Sequence, residues 1–217
     1  MKNVTKKILT LITVITLTAT CLSPAMTAHA DGGQEIPYSK NLTLSVKKNI
    51  WDYYVFKLDK YYSKAKKITV KSSNERVVKF VNNYSFTPKK TGTAKLYISM
   101  KINGKTKKFV SKIKVVKYKN PVKSFKVGSK NIASKYKKNT YWSLRTQSSK
   151  PKISIKPASG WKIKSIACYT YRANGMPKVK KIKNNSKLSK NVNYITVKMY
   201  NKKTKLTESL NLELMKH

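Results

Sequence analysis

The chain is poor in the side chains that carry most enzyme chemistry. Its 217 residues include two histidines, two cysteines and seven acidic residues. His29 lies in the leader segment described below, and His217 is the last residue. One terminal histidine cannot assemble a Ser-His-acid triad or a zinc cluster. A glycine-rich phosphate loop is also missing. The sequence therefore predicts no catalytic residue, no metal and no cofactor.

The acidic residues are scattered along the chain. A glycosidase needs two carboxylates at one cleft, and Asp52 and Asp59 are the candidate pair for that chemistry. They bracket a predicted strand, and ion pairs with neighbouring lysines are the favoured interpretation. We predict that the protein is not an enzyme.

Long apolar runs are missing as well. Ile8 to Ala19 is shorter than the roughly 20 residues that a membrane-spanning helix needs. It follows three lysines and precedes Ala28-His29-Ala30, a small-x-small pattern typical of signal-peptidase sites. We predict a signal peptide over residues 1–30, an exported mature chain and no membrane span. Lipid attachment at Cys21 is the alternative, but Thr20 fits poorly before a lipidated cysteine.

Cleavage after Ala30 would leave Cys168 without an intramolecular disulfide partner. Its neighbours Ile166, Ala167 and Tyr169 predict a small buried residue rather than a nucleophile.

The chain carries a large excess of positive charge. The chain has 49 basic and 7 acidic residues, a formal net charge of +42. Without residues 1–30 it would keep 46 basic and 7 acidic residues, a net charge of +39. Such a field attracts polyanions. Only Arg76, Arg145 and Arg172 are arginine, whereas sequence-specific DNA readers favour the planar arginine fork. The predicted partners are anionic cell-wall or extracellular polymers, with nonspecific nucleic-acid binding as the alternative. A genome biased toward AT-rich codons would also favour lysine, so function is not the only source of the charge. The sequence does not predict the oligomeric state.

Apolar and polar residues alternate with the period of a half-buried strand. One face of the first strand carries Ala94, Leu96, Ile98 and Met100. Asn103-Gly104 predicts a two-residue hairpin turn, and residues 106–117 are predicted to form the second strand of that hairpin. The lysines of segment 105–119, KTKKFVSKIKVVKYK, then form the solvated face of a strand rather than a disordered basic tract. The candidate polyanion-binding residues are Lys107, Lys108, Lys112, Lys114 and Lys117.

Short alternating segments with turns between them fill the rest of the chain. They are predicted at 42–46, 53–58, 68–71, 77–81, 85–88, 122–127, 140–144, 153–155, 163–171, 179–182, 192–200 and 206–214. This spacing is typical of β-sandwiches, and no convincing amphipathic helix is present. We predict an all-β protein with two antiparallel Ig-like sandwiches in tandem, at 31–118 and 119–217, joined by the linker YKNP at 118–121.

Aromatic residues crowd the start of the first predicted domain. Trp51 and Trp161 are predicted core residues. Tyr61 and Tyr62 are adjacent, and because adjacent strand residues face opposite ways, one of the two rings should be exposed. They are the candidate aromatic contacts. Tyr169 and Tyr171 flank Cys168, and aromatics beside lysines can stack on sugar rings or single-stranded bases.

Residues 72–98 carry a more specific pattern. It runs Ser72-Ser73-Asn74-Glu75-Arg76-Val77-Val78, then Phe86-Thr87-Pro88, then Thr91-Gly92-Thr93-Ala94-Lys95-Leu96-Tyr97-Ile98. Over about residues 40–117 the chain thereby resembles the bacterial Ig-like domain of group 2. Asn82-Asn83 stands where that family usually has a glycine, and residues 122–217 lack the Gly-Thr-Ala signature. The resemblance implies a non-catalytic module of exported or surface proteins, used for adhesion, spacing or display.

Overall fold

The computed structural model describes residues 34–47, 54–146, 150–172 and 175–216. The predicted signal peptide, Trp51 and Asp52 lie outside the described residues. Strands dominate the described chain, which confirms the all-β prediction. Within these residues, no helix combines the length and the apolar character that crossing a bilayer requires.

The described residues of segment 34–117 form a first sandwich of two four-stranded sheets. One sheet has the order β1-β3-β6-β5, and the other has the order β2-β8-β7-β4. The strands are β1 (Gln34–Pro37), β2 (Asn41–Val46), β3 (Tyr54–Lys57), β4 (Lys67–Ser72), β5 (Val78–Phe80), β6 (Ser85–Pro88), β7 (Gly92–Ile102) and β8 (Lys105–Lys117). The core lies between the sheets, where Phe56 and Phe86 of one sheet face Leu96, Met100 and Ile113 of the other.

The described residues of segment 122–216 form a second sandwich. Its sheets have the orders β10-β9-β12 and β11-β16-β15-β13-β14. The strands are β9 (Val122–Val127), β10 (Lys130–Asn131), β11 (Tyr141–Thr146), β12 (Ile153–Pro157), β13 (Trp161–Tyr171), β14 (Pro177–Ile182), β15 (Tyr194–Asn201) and β16 (Thr207–Lys216). Phe125 and Ile155 pack in a core with Ile166, Val197 and Leu210. Trp161 is half-buried against this core, as predicted.

The hairpin between β7 and β8 follows the sequence prediction. Asn103 and Gly104 have φ values of 49° and 77°, the left-handed conformation that a two-residue turn of this kind requires. Asn74 accepts a hydrogen bond from the backbone N–H of Arg76, the Asx turn typical of this residue.

Three edge pairs depart from a purely antiparallel arrangement. β1 lies parallel to β3, β2 to β8, and β11 to β16. Alternation gives the same side-chain pattern in either strand direction, so the sequence does not distinguish these pairs. Two short helices also interrupt the strands: α1 (Asp59–Tyr62) and a 3-10 helix (Ala133–Lys137).

Polar contacts join the two sandwiches. The Tyr118 hydroxyl, in the linker, donates to the backbone carbonyls of Tyr136 at 2.8 Å and Asn139 at 3.3 Å. The Ser45 hydroxyl, at the end of β2, donates to the Glu208 carboxylate of β16. The linker therefore packs against the second sandwich.

Candidate functional site

The outer surface of the sheet β2-β8-β7-β4 carries seven exposed lysines. Strand alternation turns every second residue of β4, β7 and β8 to solvent, and the residues between them are buried or half-buried except near the strand ends. Acidic residues do not occur at the outward positions of these three strands. The set, called the lysine face below, consists of Lys67, Lys71, Lys95, Lys101, Lys108, Lys112 and Lys114.

Two pairs of these lysines lie directly opposite each other on neighbouring strands. Lys95 pairs with Lys112, and Lys67 pairs with Lys101. Like charges opposite each other on a sheet destabilise it by roughly 0.2–1 kcal/mol per pair. The fold therefore tolerates repulsion on this face, and a bound polyanion would remove it.

A shallow groove of about 390 Å³ crosses the centre of the lysine face. The residues that line it include two lysines, two hydroxyl-bearing residues and two exposed apolar residues, and most of its surface is apolar. Tyr97 and Val110 are opposite each other in the register and are 39% and 44% exposed. Ser99 lies between Thr69 on β4 and Lys108 on β8. The groove is thus a mainly apolar surface with one aromatic ring, bordered by hydroxyl-bearing residues and lysines.

The predicted polyanion-binding residues divide between the two faces of β8. Lys108, Lys112 and Lys114 lie on the lysine face. Lys107 and Lys117 are exposed too, but they have the parity of the buried residues Ile113 and Val115 and point away from the lysine face at the two strand ends. The structure therefore brings three of the five candidates together.

The assumption that Tyr61 and Tyr62 lie on a strand is wrong. Both belong to the short helix α1 and are half-buried against the first core. The Tyr61 ring lies 5.2 Å from that of Phe109, and the Tyr62 ring lies 5.2 Å from that of Tyr84. Adjacent residues of a helix do not face opposite ways as those of a strand do, so both rings can pack against the same core.

Four lysines of the face and Tyr97 are not identified by the sequence pattern of β8 alone. Lys67, Lys71, Lys95 and Lys101 lie on β4 and β7. The hairpin turn could have identified those on β7, because an Asn103-Gly104 turn fixes the pairing of Lys95 with Lys112 and of Lys101 with Thr106. β4 joins the sheet through a long-range pairing that alternation does not encode.

The described residues offer little catalytic chemistry. Cys168 is buried in the second core, and burial raises the pKa of its thiol to about 11 despite the opposing effect of Lys180. A thiol of this kind stays protonated near neutral pH and is a poor nucleophile. Among residues 34–47, 54–146, 150–172 and 175–216, no three His, Cys, Asp or Glu side chains group as metal ligands would.

No family model and no curated protein matches the chain. Among solved structures it is similar to the S-layer protein SbsC at 17% identity and a TM-score of 0.20, over 70% of this chain and 20% of that chain. It is similar to the four N-terminal Ig domains of Dscam1 isoform 1.9 at 10% identity and a TM-score of 0.26, over 82% and 51%. It is similar to human protocadherin-24 EC1-2 at 12% identity and a TM-score of 0.24, over 82% of this chain and 95% of that chain. Similarities this low support neither a shared fold nor a shared function. The resemblance of residues 40–117 to the group 2 bacterial Ig-like domain stays a prediction.

Proposed function

We propose that this protein is an exported, non-catalytic Ig-like binding module at the cell surface, retained on anionic polymers by the lysine face. Under this proposal residues 1–30 are removed on export. The two domains then correspond to residues 31–118 and 119–217, and the first is a relative of the group 2 bacterial Ig-like domain.

The arrangement of charge on the lysine face carries the proposal. Seven lysines project from three adjacent strands. Opposite positions on neighbouring strands are about 4.8 Å apart, and neighbouring lysines along a strand are about 7 to 20 Å apart. A chain with 49 basic residues would show lysine on any surface, but here the cations share one acid-free sheet face. A flexible polymer with one phosphate or sulfate per repeat can meet several of these cations at once, and each ion pair releases counterions.

The chemistry of the face favours charge attraction over sequence reading. Every cation on it is a lysine ammonium group, which acts as a point charge without the bidentate geometry of arginine. Binding should therefore depend on the charge density and flexibility of the polymer. Phosphate-rich and sulfate-rich polymers of the cell exterior fit these requirements.

Tyr97 supports a second candidate function, nonspecific binding of nucleic acid. Its exposed ring lies in the groove that Lys71 and Lys108 also line. An aromatic ring between cations can stack on an unpaired base. Single-stranded nucleic acid would then bind more tightly than a polymer of equal charge without bases.

Binding titrations with three labelled polymers test these proposals. Poly(glycerol phosphate), heparin and single-stranded DNA of matched charge are titrated at about 0.15 M and about 1 M salt. We expect all three to bind at the lower salt and to dissociate at the higher one. Tighter binding of DNA at matched charge would favour the second candidate function. Failure of poly(glycerol phosphate) and heparin to bind at the lower salt would contradict the proposed function.

A further inference from the structure

We propose a second binding site, for a neutral saccharide, on the outer face of the sheet β11-β16-β15-β13-β14. It is built from tyrosines around the Glu213 carboxylate, on the opposite side of the sheet from the second core. The proposal does not depend on the lysine face, which belongs to the other sandwich.

The register of the sheet brings the site together. Ser143 of β11 is opposite Glu213 of β16, Glu213 is opposite Tyr194 of β15, and Tyr194 is opposite Tyr169 of β13. The Ser143 hydroxyl donates a 2.6 Å hydrogen bond to Glu213 Oε2, and the Tyr141 hydroxyl donates to the same oxygen. The carboxylate is thus held in place by two hydroxyl groups.

The rings provide a floor and an exposed rim. Tyr194 is 6% exposed, although it is not part of the core cluster. Its ring centre lies 5.8 Å from that of Tyr169, edge to face, and 6.5 Å from that of Tyr141. Tyr141 and Tyr171 are 47% and 41% exposed, so both present aromatic surface to solvent.

Polar groups beside the rings supply both donor and acceptor atoms. Asn211 precedes Glu213 on the same face of β16, and its side-chain carbonyl accepts a 3.1 Å hydrogen bond from Thr196. Within the described part of the chain, its amide nitrogen has no hydrogen-bond partner. Glu213 Oε1 is likewise not engaged by any described residue. These are one donor and one charged acceptor next to exposed rings.

The charge at the site selects the ligand class. Hydrogen bonds from Ser143 and Tyr141 hold the pKa of Glu213 below its usual value, so the carboxylate stays ionised and repels an anion. A small cation is opposed by the net charge of the chain and by the exposed Lys181 and Lys198 on the same face. A neutral ligand with hydroxyl donors and an apolar face is repelled neither by the Glu213 carboxylate nor by the positive charge of the chain. A pyranose ring has both features, since its C–H face packs on tyrosine and its hydroxyl groups donate to carboxylate.

Isothermal titration of the purified protein with four neutral tetrasaccharides tests this site. The probes are cellotetraose, maltotetraose, mannotetraose and chitotetraose, each at about 0.15 M and about 1 M salt. We expect at least one to bind, with an affinity that is the same at both salt concentrations because no ion pair forms. Failure of all four to bind would overturn the proposal, and so would binding that is lost at high salt.

Three variants locate the binding. Tyr171→Ala removes an exposed ring and should weaken saccharide binding about tenfold, and Glu213→Gln should weaken it similarly while keeping the side-chain shape. The matched control is Tyr84→Ala, which removes a ring of similar exposure from the first sandwich, outside both proposed sites, and should leave saccharide binding unchanged. Equal losses in Tyr171→Ala and Tyr84→Ala would overturn the assignment. Tight binding of choline that Glu213→Gln abolishes would also overturn it, because the site would then be one for cations.

Discussion

Lys47 of the first sandwich lies against Glu208 of the second, with Nζ 3.3 Å from Oε2, and both side chains are 2% exposed. The same ammonium group lies 3.4 Å from the Thr140 hydroxyl, and Ser45 donates to the other carboxylate oxygen. Lys47 also lies 5.8 Å from the centre of the Tyr118 ring. We expect this buried ion pair to favour the observed arrangement of the two sandwiches, since an arrangement that kept one charge buried without the other would be costly.

Replacing one member of this pair should therefore be costly. We expect Lys47→Met to reduce the free energy of unfolding by about 3–5 kcal/mol, because it leaves the Glu208 carboxylate buried without its cation. The double variant Lys47→Met/Glu208→Met should lose less than the sum of the two single variants. Urea denaturation followed by tryptophan fluorescence measures all three. A single-variant loss below about 0.5 kcal/mol, typical of a surface residue, would show that the pair is not buried in solution.

The two faces of β8 should respond oppositely to substitution. Ile113 is fully buried, and Ile113→Ala should cost about 2–5 kcal/mol of unfolding free energy because it opens a core cavity. Lys112→Ser/Lys114→Ser changes exposed side chains only and should stay within about 0.5 kcal/mol per residue. The same denaturation experiment compares them. If Ile113→Ala were harmless and the lysine variant unfolded, the strand assignment of β8 would be wrong.

Gly92 begins β7 with φ at 147°, in a region that side chains rarely adopt. A Cβ atom there would lie 2.9 Å from Cγ2 of Val77, a buried and β-branched residue with little freedom to move. We expect Gly92→Ala to destabilise the protein by more than the roughly 1–3 kcal/mol of backbone strain alone. Gly104→Ala is the matched control, because it has a positive φ and open space around it. Equal losses for the two variants in thermal melts would contradict the close approach of Gly92 to Val77.

Alkaline pH should destabilise the fold through its buried tyrosines. Burial, with smaller effects of Tyr84 and Asp59, raises the pKa of Tyr62 from 10.0 to about 12, and burial raises the pKa values of Tyr136 and Tyr194 further. A pKa raised in the folded state contributes stability that is complete below pH 10 and is lost as the pH rises through 12.

Ultraviolet absorbance of tyrosinate measures this effect. Between pH 10 and 12, adding urea should increase the absorbance, because unfolding releases phenols that the native fold keeps protonated. Tyr62→Phe should reduce the increase without loss of stability, since the Tyr62 hydroxyl is buried without a hydrogen-bond partner among the described residues. An absorbance that reaches its final value before urea is added would contradict the burial of these side chains.

Much of the strand pattern could be predicted from the sequence because alternation and turn chemistry are local. The positions of β7 and β8 follow from period-two burial, and the hairpin follows from Asn103-Gly104. All four residues of β6 are buried, and its end follows from Pro88. The parallel direction of β2 against β8 could not be predicted, since it depends on a pairing between distant segments. The short strands β1 and β10 carry too few residues for a periodic signal.

The candidate sites were less predictable for a related reason. Lys112 and Lys114 follow from one strand, but the lysine face also needs β4, which packs beside β7 only in the folded chain. The saccharide site brings Tyr141 and Glu213 together through the parallel pair β11-β16. Residues on three separate strands surround that carboxylate, and no spacing within one segment signals it.

Two variants that lose equal charge test whether the lysine face binds the polymer. One replaces Lys71, Lys95, Lys108 and Lys112 of the lysine face with serine, and the other replaces the exposed Lys178, Lys180, Lys181 and Lys183 of the second sandwich. The measurement is the slope of log affinity for poly(glycerol phosphate) against log salt, which reports how many phosphates the protein neutralises. We predict that the lysine-face variant binds more weakly and that its slope becomes shallower, because fewer phosphates are neutralised, while the control keeps the original slope. Equal changes in both variants would contradict the account, because binding would then follow net charge alone.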